Sequence, residues 1–407
     1  MNHPVRNLGY TVALLLALWG ISYFWPNDKV EEISLAPALL NPTISVELTA
    51  LRDLDAVAIE IVGRCRLLNA DDPEQPVLKE LHDLNDDLYL TLVGPQLGPY
   101  IMHQKHVILE TEGDGAMRLN TYFYPGRLHI RVKEDKSSPL GKSLRLSLEL
   151  PLEDYVLGVV CGEMSSQVPG SKAALRAQAV AARTYALYRL GQGRSLRDNT
   201  TDQVFQSIDF VTEEARDAVA ATRGLVLRWQ DDLVHTYFHR NCGGGTANAK
   251  AAAFSKKDIA PLGGVFEPAC RTPRGMWEHH VTAADLDALA QKKELGSWLS
   301  GISVLHKDAT GRYLEVRLLG PDEHVDLPAD QVRAALHIPS TQIAEMERLS
   351  DGSLIFRGYG YGHGIGLCQE GALRLSKSEA TYAEILAHYY PSAQLVPLTA
   401  DLELLLP

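Results

Sequence analysis

Three stretches of the 407-residue chain hold side chains whose types and spacing could do chemistry. In the first, Glu163 ends a mostly apolar stretch that includes Leu150, Val156, Leu157, Val159 and Val160. A carboxyl group in such surroundings loses hydration when it ionises, so its pKa rises and it suits general acid catalysis near neutral pH. A glutamate after apolar residues is also a common helix-start or surface residue, and by itself Glu163 fits either description. In the second stretch His239 and Cys242 lie three apart, close enough to share a metal ion. Cys270 is far enough along to return as a third ligand, with His279 or His280 as a fourth, although this is not an established zinc spacing. A disulfide between Cys242 and Cys270 accounts for the same cysteines in an oxidising compartment. In the third stretch, Gly358, Gly360, Gly362, Gly364 and Gly366 alternate with Tyr359, Tyr361, His363 and Ile365. A dinucleotide fingerprint needs its third glycine where this chain has His363, Ile365, Leu367 or Gln369, and no Gly-Lys-Ser/Thr ending supports a P-loop. Alternating glycine instead admits a second backbone or a flat ligand, with His363 and Gln369 as the polar groups that meet it.

The elements that must position these groups follow from periodicity and turn chemistry. Residues 44–132 read as short strands separated by turn signals such as Asp71-Asp72-Pro73, Gly113-Asp114-Gly115 and Pro125-Gly126. Residues 144–148 alternate apolar and polar and lead straight towards Glu163. The spacing of Leu175, Ala179, Ala182 and Ala186 predicts an alanine-rich helix over 172–190, with Ser171 as N-cap and close packing against a neighbour. Lys172, Arg176 and Arg183 fall near one face of it, which places Arg183 beside a cleft or merely in solvent. A helix around 213–222, a strand around 225–229 and a strand-like segment at 353–357 complete the frame.

Composition narrows the partners. A net charge of −12 argues against nucleic acid, whose binding draws on clustered Lys and Arg. Five cysteines, Cys65, Cys161, Cys242, Cys270 and Cys368, are too few and too scattered for a disulfide-built scaffold. At the N-terminus, Arg6 precedes an uncharged apolar run over 8–25 that ends in Tyr23, Phe24 and Trp25. The run is near the lower limit for spanning a bilayer, and its flanking charge orients the rest of the chain outwards. Its aromatic end favours an anchor over a cleaved signal peptide.

Together these residues resemble the stage II sporulation protein D family of peptidoglycan lytic transglycosylases and amidase enhancers. The likeness is carried by Leu150, Pro151, Leu152 and Glu153 leading to Glu163 and Met164, by the run from Ala177 and Gln178 to Arg183, Thr184, Tyr185 and Ala186, and by the glycine run with His363, Gln369, Gly371 and Ala372. It spans roughly 118–391. Where the family often has histidine after its Cys-Gly-Gly segment this chain has Gly245, and Ser165 stands where proline commonly follows the methionine.

The resemblance implies an α+β fold: a β-rich N-terminal part over 26–117 and a mixed α/β catalytic core over 118–395, with an attached subdomain at about 281–350, behind an anchor at 1–25. It implies that Glu163 is the catalytic acid/base, that Gln178, Arg183, Tyr185, His363 and Gln369 bind substrate, and that His239, Cys242 and Cys270 hold a structural zinc or give the Cys242–Cys270 disulfide. Catalysis itself then requires no cofactor. The expected partners are the glycan strands of peptidoglycan, a cell-wall amidase and, through the anchor, the cytoplasmic membrane. A non-catalytic activator of such an amidase is the other functional class the resemblance admits.

Overall fold

The computed structural model describes residues 41–398 except 50–55, 73, 75, 84–87, 92–93, 98–99, 102–104, 120, 137–140 and 273–274. The expected anchor over 8–25 lies outside the described residues, and among the described residues no helix is long and apolar enough to cross a membrane. The chain has a mixed α+β architecture with a large, mainly antiparallel sheet.

That sheet has 11 strands among the described residues. Its central path runs from Thr43–Glu47 to Lys142–Pro151, Arg127–Glu134, His106–Leu119 and Ala56–Asn69, each antiparallel to the next. The boundary expected at 117–118 falls inside His106–Leu119. The sheet does not end there, because that strand is paired on both sides and the ladder continues to Pro151. Alternation explains its two faces: Leu144, Leu146, Leu148 and Leu150 are buried, while Arg145, Ser147 and Glu149 between them are only partly so.

Pro151 ends the sheet and stands at the N-cap of helix α1, Leu152–Glu163. The helices that follow are α2, Lys172–Gly191; α3, Glu213–Ala221; α4, Ala283–Lys292; α5, Ala329–Ala335; α6, Gln369–Lys377; and α7, Tyr382–Tyr389. Helix α2 is the hub, in contact with α1, α3, α6 and α7. Its alanines make this possible, since Ala174, Ala177, Ala179, Ala181, Ala182 and Ala186 are all buried and keep neighbouring helices close. Ser171 does occupy the N-cap position, but its hydroxyl donates to the Ser166 carbonyl instead of capping α2.

A second hydrophobic cluster runs from Val281 to Phe356, built on α4, α5 and two three-stranded sheets. It covers the stretch expected as a subdomain and extends beyond it, because Trp277–Val281 pairs with Leu354–Gly358 to close the insertion at its base.

Candidate active site

Glu163 is the last residue of α1, and its position follows from two glycines in that helix. A Cβ on Gly158 would lie 2.5 Å from the Phe205 ring, and one on Gly162 would lie 2.3 Å from the Val204 carbonyl oxygen. Each glycine costs about 1 kcal/mol of helix propensity relative to alanine. In return the segment 204–206 lies directly on the helix, and the Val204 backbone N–H donates to Glu163 Oε1 at 2.6 Å. Asp202 and Gln203 hold that segment from the other side. Asp202 pairs with Arg189 at 2.7 Å and accepts from Tyr185 Oη at 3.1 Å, and Gln203 Nε2 donates to Tyr155 Oη at 3.1 Å.

The other Glu163 oxygen accepts from Gln369 Nε2 at 3.3 Å. Gln369 is the first residue of α6 and is buried, whereas Glu163 is only half-buried. Burial pushes the Glu163 carboxyl above its ordinary value, and the bonds from Val204 and Gln369 pull partly against that rise. The C-terminal end of a helix, where unpaired carbonyls gather, also disfavours the anion. A carboxyl raised in this way is a candidate general acid, since it binds its proton more tightly than an exposed glutamate does.

The structure brings Glu163 and Gln369 together and places the other expected residues differently. Arg183 lies neither beside a cleft nor in solvent: it is wholly buried, and its guanidinium donates to both oxygens of Glu153 at 2.8 and 2.6 Å and to the Leu225 carbonyl at 3.1 Å. A wholly buried cation paired in this way does not face a substrate. Gln178 is also fully buried on α2, and neither of its amide atoms meets a partner among the described residues. Tyr185 is buried too, its hydroxyl committed to Asp202, so it steadies the 202–206 segment. Helical spacing showed that these three share one helix, but it could not show that α2 is buried throughout 177–187.

His363 stands in the glycine run among the rings of Tyr237, His239 and Phe254. Its Nδ1 accepts from the Ile365 N–H at 3.0 Å, and burial, then the neighbouring His239 and Arg333, hold it well below the ordinary histidine range. It is a positioned ring, fixed by that bond and by its aromatic neighbours. The glycines around it serve a close approach of protein to protein: a Cβ at Gly364 would meet the Arg312 guanidinium at 2.4 Å, and one at Gly366 would meet the Tyr237 carbonyl oxygen at 2.0 Å. Both have positive φ, at 80° and 69°, which glycine adopts without strain.

The second chemical cluster includes Cys368, the residue immediately before Gln369. Cys242, Cys270, Cys368 and Glu267 bring one ligand atom each within 4.8 Å of one another. All five cysteines are free thiols, and Cys242 and Cys270 are neighbours without a bond between them. His239 donates from Nδ1 to the Ile365 carbonyl at 3.1 Å, leaving a buried Nε2 without a hydrogen-bond partner among the described residues. The sequence reading missed Cys368 and Glu267. Cys368 carried a signal, being a cysteine immediately before Gln369, whereas Glu267 carried none.

Comparison with known proteins finds similar chains. The family model described as stage II sporulation protein, SpoIID, matches residues 141–229, which include α1, α2 and the 202–206 segment. An uncharacterized protein of Brachyspira hyodysenteriae is 30% identical over 313 residues, which are 75% of this chain and 80% of that protein. Stage II sporulation protein D of Bacillus subtilis is 27% identical over 64% of this chain and 78% of its own. The amidase enhancer of the same organism is 25% identical over 58% of this chain but only 40% of its own.

Proposed function

The chain belongs to the stage II sporulation protein D family, and from that premise we propose that it acts on the bacterial cell wall as a lytic transglycosylase of peptidoglycan. The observation that carries the reading is the setting of Glu163, a half-buried carboxyl with a raised pKa whose hydrogen-bond partners among the described residues are a backbone N–H and an amide. Ordinary glycosidases use two carboxyl groups, one to protonate the leaving oxygen and one as nucleophile or water activator. A lone acid suffices when the muramic acid supplies its own nucleophile. Protonated Glu163 donates to the glycosidic oxygen as the C1–O bond breaks. The C6 hydroxyl of the same sugar attacks C1, and its proton returns to the Glu163 carboxylate, closing a 1,6-anhydro ring.

Strands stripped of stem peptides are the substrate this reading prefers, with the body of the protein outside the cytoplasmic membrane and the 8–25 run as its anchor. The experiment incubates the protein with peptide-free glycan strands and examines the product ends by mass spectrometry. Anhydro-muramic ends are expected, and their absence with Glu163→Gln. Reducing ends instead would make the protein a hydrolase with a second carboxyl group and sink this mechanism. Kinship to the amidase enhancer favours a second reading, a non-catalytic activator. Strand binding without cleavage, together with a rise in the rate of an added amidase, would establish it.

A further inference from the structure

We propose that a hollow on the polar face of the large sheet binds the phosphate monoester group of a small molecule. The hollow, about 390 Å³ in volume, is lined by Arg131 and Lys133 of Arg127–Glu134, Arg145 and Ser147 of Lys142–Pro151, Glu47 of Thr43–Glu47, and Ser195 beyond the end of α2. The pattern of charge along the sheet picks it out. One row of cross-strand neighbours reads Arg66, Glu110, Arg127, Glu149, each directly opposite the next, and the signs alternate. Arg66 pairs with Glu110 and Glu112, and Arg127 with Glu110 and Glu149. Further along the same face the alternation fails: Arg131 stands directly opposite Arg145, with His106 opposite it on the other side. Like charges placed so destabilise a sheet. Lys133, two residues past Arg131, adds a third cation to that face.

The partners of these cations show what the hollow lacks. Arg145 is answered by Asp135 at 3.0 Å and Glu47 at 3.6 Å. Arg131 has no carboxylate in ion-pair range among the described residues, and its guanidinium meets Ser147 Oγ and His129 Nδ1 only at 3.5 Å, the outer limit of a hydrogen bond. With the ion-pair partners of the lining residues included, four cations, Arg131, Lys133, Arg145 and Arg197, face two carboxylates, Glu47 and Asp135. That surplus of two positive charges matches a phosphate monoester, which carries about −1.5 to −2 at neutral pH, whereas a single carboxylate would leave part of it unanswered. The Arg131 guanidinium offers the planar fork that fits two phosphate oxygens, Lys133 a mobile point charge, and Ser147 and Ser195 hydroxyl donors. In a chain of net charge −12 the hollow is a local reversal of sign that draws an anion in.

The test is calorimetric titration of the full-length protein with glycerol 3-phosphate in a phosphate-free buffer. Saturable binding of one molecule per chain is expected, weakened about tenfold or more by Arg131→Gln and by Lys133→Gln and unchanged by Arg66→Gln in the alternating row. Thermal melts without ligand separate lost binding from lost folding. Arg131→Gln should melt no lower than wild type, because it relieves the repulsion between Arg131 and Arg145. Absence of binding by the wild type would overturn the proposal, as would an Arg131→Gln protein that binds as tightly as wild type or melts clearly below it. Acetate or dimethyl phosphate, each a monoanion, bound as tightly as glycerol 3-phosphate would overturn the choice of a phosphate dianion.

Discussion

Helix α1 carries a glutamate in its first turn and another at its last residue, and the two meet opposite fates. Glu153 is buried and answered by a full guanidinium, with the Gly224 N–H adding a further bond at 3.2 Å. Glu163 is half-buried and answered only by neutral donors. The helix itself sharpens the contrast, since its N-terminal end favours an anion and its C-terminal end opposes one. The same side chain is thus a partner for a buried cation at one end and, in the proposed function, a proton carrier at the other. The difference lies in which distant segment folds back on it: α2 brings Arg183 to the first, while the 204 segment and α6 bring N–H groups to the second.

The sharpest way to break the contrast is Glu163→Gln, which should lower the cleavage rate by about 10²- to 10⁴-fold, the usual contribution of general acid/base transfer. The same variant should not lose stability at neutral pH. A carboxyl whose folded pKa is raised binds its proton more tightly in the folded state, so wild-type stability falls as pH climbs from the ordinary glutamate value through the raised one. Urea melts across that window should show the variant at least as stable as wild type above it, with the difference vanishing at lower pH. A variant clearly less stable at neutral pH would mean that Glu163 is a structural anion like Glu153.

At the other end, Arg183→Ala should cost about 3–5 kcal/mol of stability, because it leaves the Glu153 carboxylate buried without its cation. A combined Glu153→Leu, Arg183→Met chain should recover much of that loss in the same melts. If single replacement leaves stability intact while weakening strand binding, Arg183 reaches the substrate after all.

Gly162→Ala tests whether the glycine-enabled contact tunes the acid. A Cβ there would sit 2.3 Å from the Val204 carbonyl oxygen, forcing the segment away and loosening its N–H bond to Glu163. A hydrogen bond to a charged group is worth about 1.5–3 kcal/mol, so activity should fall on the order of tenfold or more. The high-pH limb of the rate profile should move upwards, because a donor that lowers the Glu163 pKa has been removed. Gln369→Leu should move that limb in the same direction by less, since its 3.3 Å bond is the longer of the two. An unmoved limb in both variants would remove Glu163 as the titrating acid.

Much of the frame was legible without coordinates. Alternation of Leu144, Leu146, Leu148 and Leu150 marks a half-buried strand, and the alanine spacing of α2 marks a tightly packed helix. Both are local periodicities that one face of an element imposes on its own residues. The placing of Glu163 at the end of an apolar segment was equally local, although the segment proved to be the helix that Glu163 ends. The sheet boundary was not legible, since His106–Leu119 bears no mark at residue 117 of the pairing that carries the sheet onward.

What the sequence by itself determined, then, is the family and the glycine pattern that lets backbones touch. Tertiary structure alone decided which charges meet. Arg183 faces a carboxylate because Glu153, thirty residues away, lies across from it, and Cys368 joins Cys242 and Cys270 across gaps of 126 and 98 residues. Side-chain pairing at such separations has no period in the chain, and it is fixed only when the packing of α2, α6 and the glycine run excludes every other arrangement.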